Sequence, residues 1–161
     1  MFDKPTFESK IISPDQIAKH ISALAQPIVF TNGVFDIVHR GHVTYLAQAR
    51  AEGASLIVAL NDDASTKRLG KGTDRPINTL EDRLAVIAAL ECVSLVTHFS
   101  EDTPSALIQI ITPQVLVKGG DWSFDDIVGG DWTRQHGGRV LSIPFKHKRS
   151  TTQLINRIRQ A

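Results

Sequence analysis

Residues 31–42 read Thr-Asn-Gly-Val-Phe-Asp-Ile-Val-His-Arg-Gly-His, and few folds accommodate such a segment. The apolar run Ile28-Val29-Phe30 precedes it, and a helical pattern begins near His42. Both histidines therefore fall where a buried strand hands over to a helix. A helix start offers unbonded backbone N–H groups and the positive end of the helix dipole, a setting that attracts phosphate. Gly33 and Gly41 are expected to let the backbone turn tightly and come close to a ligand. Two imidazoles beside such a pocket can donate to phosphate oxygens as their charge rises during phosphoryl transfer. A shared zinc with Asp36 is the competing reading of the histidine pair. The sequence supplies no cysteine cluster or third well-placed histidine to complete four ligands.

The rest of the chain repeats the strand-to-helix alternation. Residues 1–12 read as an irregular leader, and Ser13-Pro14-Asp15 as a helix start for residues 15–25. Strands are expected at 28–31, 55–60, 93–97, 114–118 and 140–143. The run at 55–60 is continuously apolar, as in a strand buried on both faces. Helices are expected at 43–52 with Val43, Leu46 and Ala47 inward, at 79–90 behind a capping box, at 103–111, shortly before Gly137, and at 151–159. Residues 61–78 read as a polar, flexible segment carrying Lys67, Arg68, Lys71 and Arg75. This pattern predicts a single α/β domain over 1–161: a Rossmann-like, doubly wound, five-stranded parallel sheet with helices on both faces. In such sheets ligands sit beyond the carboxyl ends of the strands.

Composition narrows the setting. At 161 residues the chain can bury one good core, and 42% hydrophobic with 22% charged residues is ordinary for a globular protein. A formal net charge of +1 argues against a general nucleic-acid-binding surface. One cysteine excludes an intrachain disulfide framework, and no signal peptide or membrane-length apolar run is visible. A cytoplasmic protein without a membrane partner is expected.

Other clusters carry two readings each. Ser150-Thr151-Thr152 suits a helix N-cap or, with Lys146, Lys148 and Arg149 upstream, a polyphosphate site. Asp36 reads equally as an Asx-turn residue. Gly119-Gly120-Asp121-Trp122 recurs as Gly129-Gly130-Asp131-Trp132. The first copy falls at the ligand edge, and the second at a helix start with Asp131 as capping acid. Lys67 and Lys71 read as a solvated loop or a phosphate clamp, Arg83 as a helix-surface ion-pair partner, and Glu101 and Asp102 as a helix cap or sugar-hydroxyl readers.

The pattern Gly-x-Phe-Asp-x-x-His-x-Gly-His, met at Gly33, Phe35, Asp36, His39, Gly41 and His42, resembles the signature of the HxGH nucleotidyltransferase superfamily. With Asp63-Ala64-Ser65-x-Lys67-Arg68, Arg75-Pro76-Ile77-Asn78, Glu101-Asp102-Thr103-Pro104, Leu116–Asp121 and Ser150–Thr152, the likeness narrows to the adenylyltransferase domains of bacterial ADP-heptose synthesis. It covers about residues 28–158. Arg149 departs from the family, which has isoleucine or a small residue there.

The resemblance implies transfer of AMP from ATP to a heptose 1-phosphate, with Mg²⁺ neutralising the leaving pyrophosphate. It implies catalytic roles for His39, His42 and Lys67. Nucleotide contacts would come from Thr31, Asn32, Gly33, Val34, Phe35, Gly41, Arg83, Lys118, Gly119, Gly120, Asp121, Trp122, Ser150, Thr151 and Thr152. Asp36, Lys71, Glu101 and Asp102 would face the sugar phosphate. It also implies a separate heptose kinase upstream in lipopolysaccharide core assembly. Relatives are often homodimers, though no apolar stripe in the sequence marks an interface. A glycerol-3-phosphate cytidylyltransferase and a catalytically silent nucleotide-binding domain remain open alternatives.

Overall fold

A computed structural model describes residues 3–70, 74–147 and 149–160. Five parallel strands, β1 (Ile28–Gly33), β2 (Ser55–Asn61), β3 (Leu95–Phe99), β4 (Val115–Gly119) and β5 (Arg139–Ile143), form one sheet in the order β3-β2-β1-β4-β5. Each strand lies within two residues of its expected position. β3 starts later than expected because Val93 is still in a turn, its N–H bonded to the Leu90 carbonyl.

Side chains alternate across the pleat and feed two cores. Val29, Leu56, Val58, Val96, Val115 and Val117 share one face with Tyr45, Leu46 and Ala49 of α2 (Arg40–Ala51) and Leu84, Ile87 and Ala88 of α4 (Leu80–Ala88). Ile28, Phe30, Ile57, Leu95 and Leu116 share the other face. Their partners there are Ile17 of α1 (Ile17–Ile21) and Leu107, Ile108 and Ile111 of α5 (Ser105–Ile111). Helices on both faces explain why β2 is buried along its whole length.

Several expectations are corrected. The leader is not irregular throughout: residues 6–10 form a 3-10 turn, and Ile11 bridges Val96 in parallel at the β3 edge. The first helix is shorter than 15–25, since residues 14–16 are 3-10 and α1 ends at Ile21. α2 begins at Arg40, which turns Tyr45, Leu46 and Ala49 inward and leaves Val43 and Ala47 exposed. Within the supposedly flexible 61–78, residues Asp63–Arg68 form α3, capped by the Asp62 side chain on the Ser65 N–H at 2.6 Å. That helix lacks an apolar stripe because its buried positions are the hydroxyl residues Ser65 and Thr66. Asp131 is not a cap: it lies in the first turn of α6 (Gly130–Gln135) and pairs with Arg134.

Gly129 is the N-cap of α6, with φ of +82°, and a Cβ there would lie 2.5 Å from Ile108 Cδ1. Backbone conformation and core packing both demand glycine. Gly129→Ala is expected to cost about 1–3 kcal/mol, read as a lowered midpoint in thermal unfolding; an unchanged midpoint would refute this packing account.

Candidate active site

β1 and β4 are neighbours in the sheet, yet ladder pairing joins them only at Val29↔Val115 and Phe30↔Leu116. Beyond these pairs the strands run on to Gly33 and Gly119 without continuing the ladder. Strand order reverses at this point, where open α/β sheets form their crevice. The Tyr45 hydroxyl from α2 stands between the two strands, 2.6 Å from Thr31 Oγ1 and donating to the Val117 carbonyl at 3.4 Å. Burial pushes the phenol's pKa well up, so the group stays protonated and keeps its donor. Further out, Lys118 Nζ donates across the gap to Asn32 Oδ1 at 3.3 Å.

The crevice has two lobes. One, about 540 Å³, is lined by His39, His42, Asp36, Arg75, Trp122, Phe145, Arg149 and Ser150–Thr152 among others. The second, about 400 Å³, is lined by Asn61, Leu69, Asp102, Thr103, Pro104 and Asp126–Val128 among others. Asn32, Gly33, Val34, Lys118 and Trp122 border both lobes and form their common wall.

His39 caps α2: its Nδ1 accepts the Gly41 N–H at 3.1 Å. A nitrogen that accepts carries no proton, so in the neutral ring the proton sits on Nε2. Burial lowers the pKa of His39, and the nearby Arg149 charge lowers it further, which favours this neutral form. The His42 ring stacks on His39 with centroids 3.8 Å apart, and Phe35 packs its ring against His42 at 5.4 Å. Phe35 holds φ of +48°, a costly backbone for a bulky residue, sustained where its ring fills the space beside Gly33. Gly33 and Gly41 are favoured by close approach rather than by left-handed turning. A Cβ would lie 2.9 Å from the Phe35 ring at Gly33, and 3.0 Å from the His39 ring at Gly41.

Asp36 lines the first lobe but is saturated by protein donors. It accepts Arg75 Nε at 2.5 Å and the N–H groups of Ile77 and Asn78, each at 2.9 Å to Oδ1. Burial works to raise its pKa, but the two N–H donors and the guanidinium outweigh it, and the carboxyl titrates below its usual range. At the far wall, α7 (Thr151–Gln160) begins with Ser150 Oγ accepting the Gln153 N–H at 3.1 Å. Thr151 Oγ1 donates to the Ile37 carbonyl at 3.3 Å, which ties α7 to the histidine loop. Trp122 donates from Nε1 to the Gly119 carbonyl at 3.0 Å, and Lys118 Nζ lies 5.7 Å from its ring centroid.

The structure thus brings together His39, His42, Asn32, Gly33, Val34, Phe35, Lys118, Gly119, Trp122 and Ser150–Thr152. Thr31 and Gly41 support the site from beneath. Other expected site residues fall elsewhere. Lys67 is exposed on α3 and borders neither lobe. Lys71 lies outside the described residues. Gly120 and Asp121 border neither lobe, and Glu101 instead accepts the Ser100 N–H. Asp102 borders the second lobe and pairs with Arg68 at 2.6 Å.

Arg83 is neither in the cleft nor on the helix surface. It is 1% exposed and donates to the Val34, Asn61 and Asn78 carbonyls and to Asp63 Oδ1. Tyr45 and Phe145 are cleft residues not singled out from the sequence, which marks Arg75 only as part of the 61–78 segment and its Arg-Pro-Ile-Asn motif, with no role of its own. Phe145, an aromatic just past the last strand, carried the only local signal.

Among the described residues no cluster of three His, Cys, Asp or Glu could hold a metal ion, and Asp36 is already committed. These residues do not build a protein cage for Mg²⁺. An ion in this cleft would come with a polyphosphate ligand.

Residues 30–157 match the cytidylyltransferase-like family model. The chain belongs to the cytidylyltransferase-like family. It is 53% identical to a D-beta-D-heptose 1-phosphate adenylyltransferase of Bordetella bronchiseptica, over 96% of each chain. It is 55% identical to the bifunctional protein HldE of Azotobacter vinelandii, matching 86% of this chain but 29% of that longer protein. A solved lipopolysaccharide core biosynthesis protein from Thermoplasma volcanium superposes with a TM-score of 0.62 at 27% identity, covering 76% of this chain and 98% of that one. The expected fold and nucleotidyltransferase class therefore stand. No helix among the described residues is long and apolar enough to cross a membrane.

Removing the Asp36 carboxylate strands a buried guanidinium. Asp36→Ala is expected to cost about 3–5 kcal/mol in chemical denaturation. Because its folded pKa is lowered, the Asp36 contribution is complete above the unfolded value of about 3.9 and is lost as pH falls through the lower folded one. Asp36→Asn should flatten that part of the stability-against-pH curve on the acid side of about pH 5; equal acid sensitivity in variant and parent would contradict the assignment.

Proposed function

We propose that this chain transfers AMP from ATP to D-glycero-β-D-manno-heptose 1-phosphate, giving ADP-heptose and pyrophosphate. The observation that carries the reading is the two-lobed crevice at the β1–β4 divergence. One lobe combines a histidine pair with a helix start rich in hydroxyls. The other presents Asn61, Asp102 and Thr103, groups that suit sugar hydroxyls. The likeness to the Bordetella enzyme over nearly the whole chain supports this choice of acceptor.

The ATP base and ribose would lie toward Trp122 and Phe145, with the phosphates running along His39, His42 and the amino end of α7. The acceptor would occupy the second lobe, its phosphate reaching the common wall beside Asn32 and Lys118. An oxygen of the sugar phosphate attacks the α-phosphorus directly, so no protein nucleophile is needed. Catalysis is alignment together with stabilisation of charge. His39 offers Nε2–H, held in place by its cap to Gly41, and His42 is held by stacking and by Phe35. Among the described residues of 61–78, the basic group that borders the phosphate lobe is Arg75 rather than Lys67. Mg²⁺ bound with the nucleotide would shield the pyrophosphate charge. A heptose kinase supplying the sugar 1-phosphate and a cytoplasmic location belong to the same reading.

The test is pyrophosphate release with Mg²⁺, comparing ATP with CTP and heptose 1-β-phosphate with glycerol 3-phosphate. Turnover confined to ATP with the heptose phosphate is expected. Turnover with CTP and glycerol phosphate would move the chain to another branch of the family. His42→Ala should lower kcat about 10²–10³-fold while shifting the thermal midpoint little; near-parental turnover removes His42 from the chemistry.

A further inference from the structure

The ion pair of Asp36 and Arg75 is buried, with side chains 0% and 7% exposed, yet both residues border the first lobe. Asp36 receives Arg75 by one edge only, through Nε. Neither Nη1 nor Nη2 makes a hydrogen bond among the described residues. The carboxylate has no further capacity to spare, since it also takes the Ile77 and Asn78 N–H groups. Asn78 Nδ2 in turn donates to the Asp36 carbonyl at 2.6 Å. The guanidinium is thus clamped at its stem and offers its outer fork to the cleft. A planar fork with two open N–H₂ groups in a half-dry wall matches a phosphate oxyanion.

Its location selects which phosphate. Arg75 borders the lobe that holds His39 and Ser150–Thr152 and does not border the lobe assigned to the acceptor. Its neighbour Asp74 is paired with Arg159 of α7, so the segment bearing Arg75 is tied to the helix whose first turn faces the same lobe. In the proposed binding mode this fork would face the phosphates beyond the α-phosphorus, on the side away from the acceptor.

Building on the proposed reaction, we infer that Arg75 grips the leaving pyrophosphate, with Asp36 as the residue that aims it. As the acceptor oxygen bonds to the α-phosphorus, the bond from that phosphorus to the α–β bridging oxygen breaks. The bond's electron pair moves onto pyrophosphate, and no proton transfer is needed. The added charge appears where Arg75 presents its fork. A guanidinium fixed before the ligand arrives stabilises that charge without rearranging.

The experiment is calorimetric titration of pyrophosphate and of AMP into the parent, Arg75→Gln and Arg75→Lys, each checked by thermal unfolding. Arg75→Gln should weaken pyrophosphate binding about 10- to 100-fold and leave AMP within about twofold. Arg75→Lys, which keeps the charge and loses the fork, should fall between, and it carries the comparison if the glutamine variant does not fold. Unchanged pyrophosphate affinity, or parallel loss of AMP and pyrophosphate, overturns the inference and leaves Arg75 as a brace for the loop. Arg75-dependent pyrophosphate binding in a parent protein that shows no turnover with heptose 1-phosphate would support the grip while removing the acceptor assignment.

Discussion

One buried guanidinium holds the carboxyl edge of the sheet in register. Arg83 leaves α4 and reaches carbonyls from three separate segments, Val34 after β1, Asn61 at the end of β2 and Asn78 before its own helix, as well as the Asp63 carboxylate. A charge so enclosed is tolerated only because its donors are matched, and losing any partner leaves an uncompensated group in a poorly solvating interior. The histidine loop, the start of α3 and the 74–78 segment all take their relative positions from it. Asp36 then repeats the device one layer nearer the cleft, with a carboxylate receiving donors that all come from 75–78. The rim of the site is built on two ionic junctions set back to back, with apolar packing beneath.

Those junctions sit beside a deliberate gap in the sheet. Parallel strands normally pair along their length, but here the β1–β4 ladder stops after two pairs, and the Tyr45 hydroxyl stands in the gap, donating to the Val117 carbonyl and bonding to the Thr31 side-chain hydroxyl. Divergence makes the crevice, and the wedge keeps it from closing. The candidate site therefore falls where the β1–β4 pairing stops.

The architecture was readable because its signals are local. Continuous apolar runs marked the buried strands, and the Ser150 and Thr79 caps marked helix starts. The histidine pair and Trp122 were legible for the same reason: each lies immediately past a strand, where topology alone delivers a side chain to the cleft. What escaped were residues whose roles depend on distant partners. Arg75 and Arg83 look like ordinary surface cations in sequence, and only folding sets them against Asp36 and the carbonyls just past β1 and at the end of β2. α3 escaped because hydroxyls rather than an apolar stripe bury it: Ser65 Oγ donates to the Glu101 carbonyl and receives Asn61 Nδ2. Lys67 shows the reverse error, since a basic residue near the right strand points outward from that helix.

The common wall of Asn32–Val34, Lys118 and Trp122 has a kinetic corollary. A molecule confined to either lobe leaves the other free, so two reactants of the proposed kind can enter in either order. In the proposed reaction the product would straddle the wall and occupy parts of both compartments at once. Such a product would compete with each reactant for its own berth.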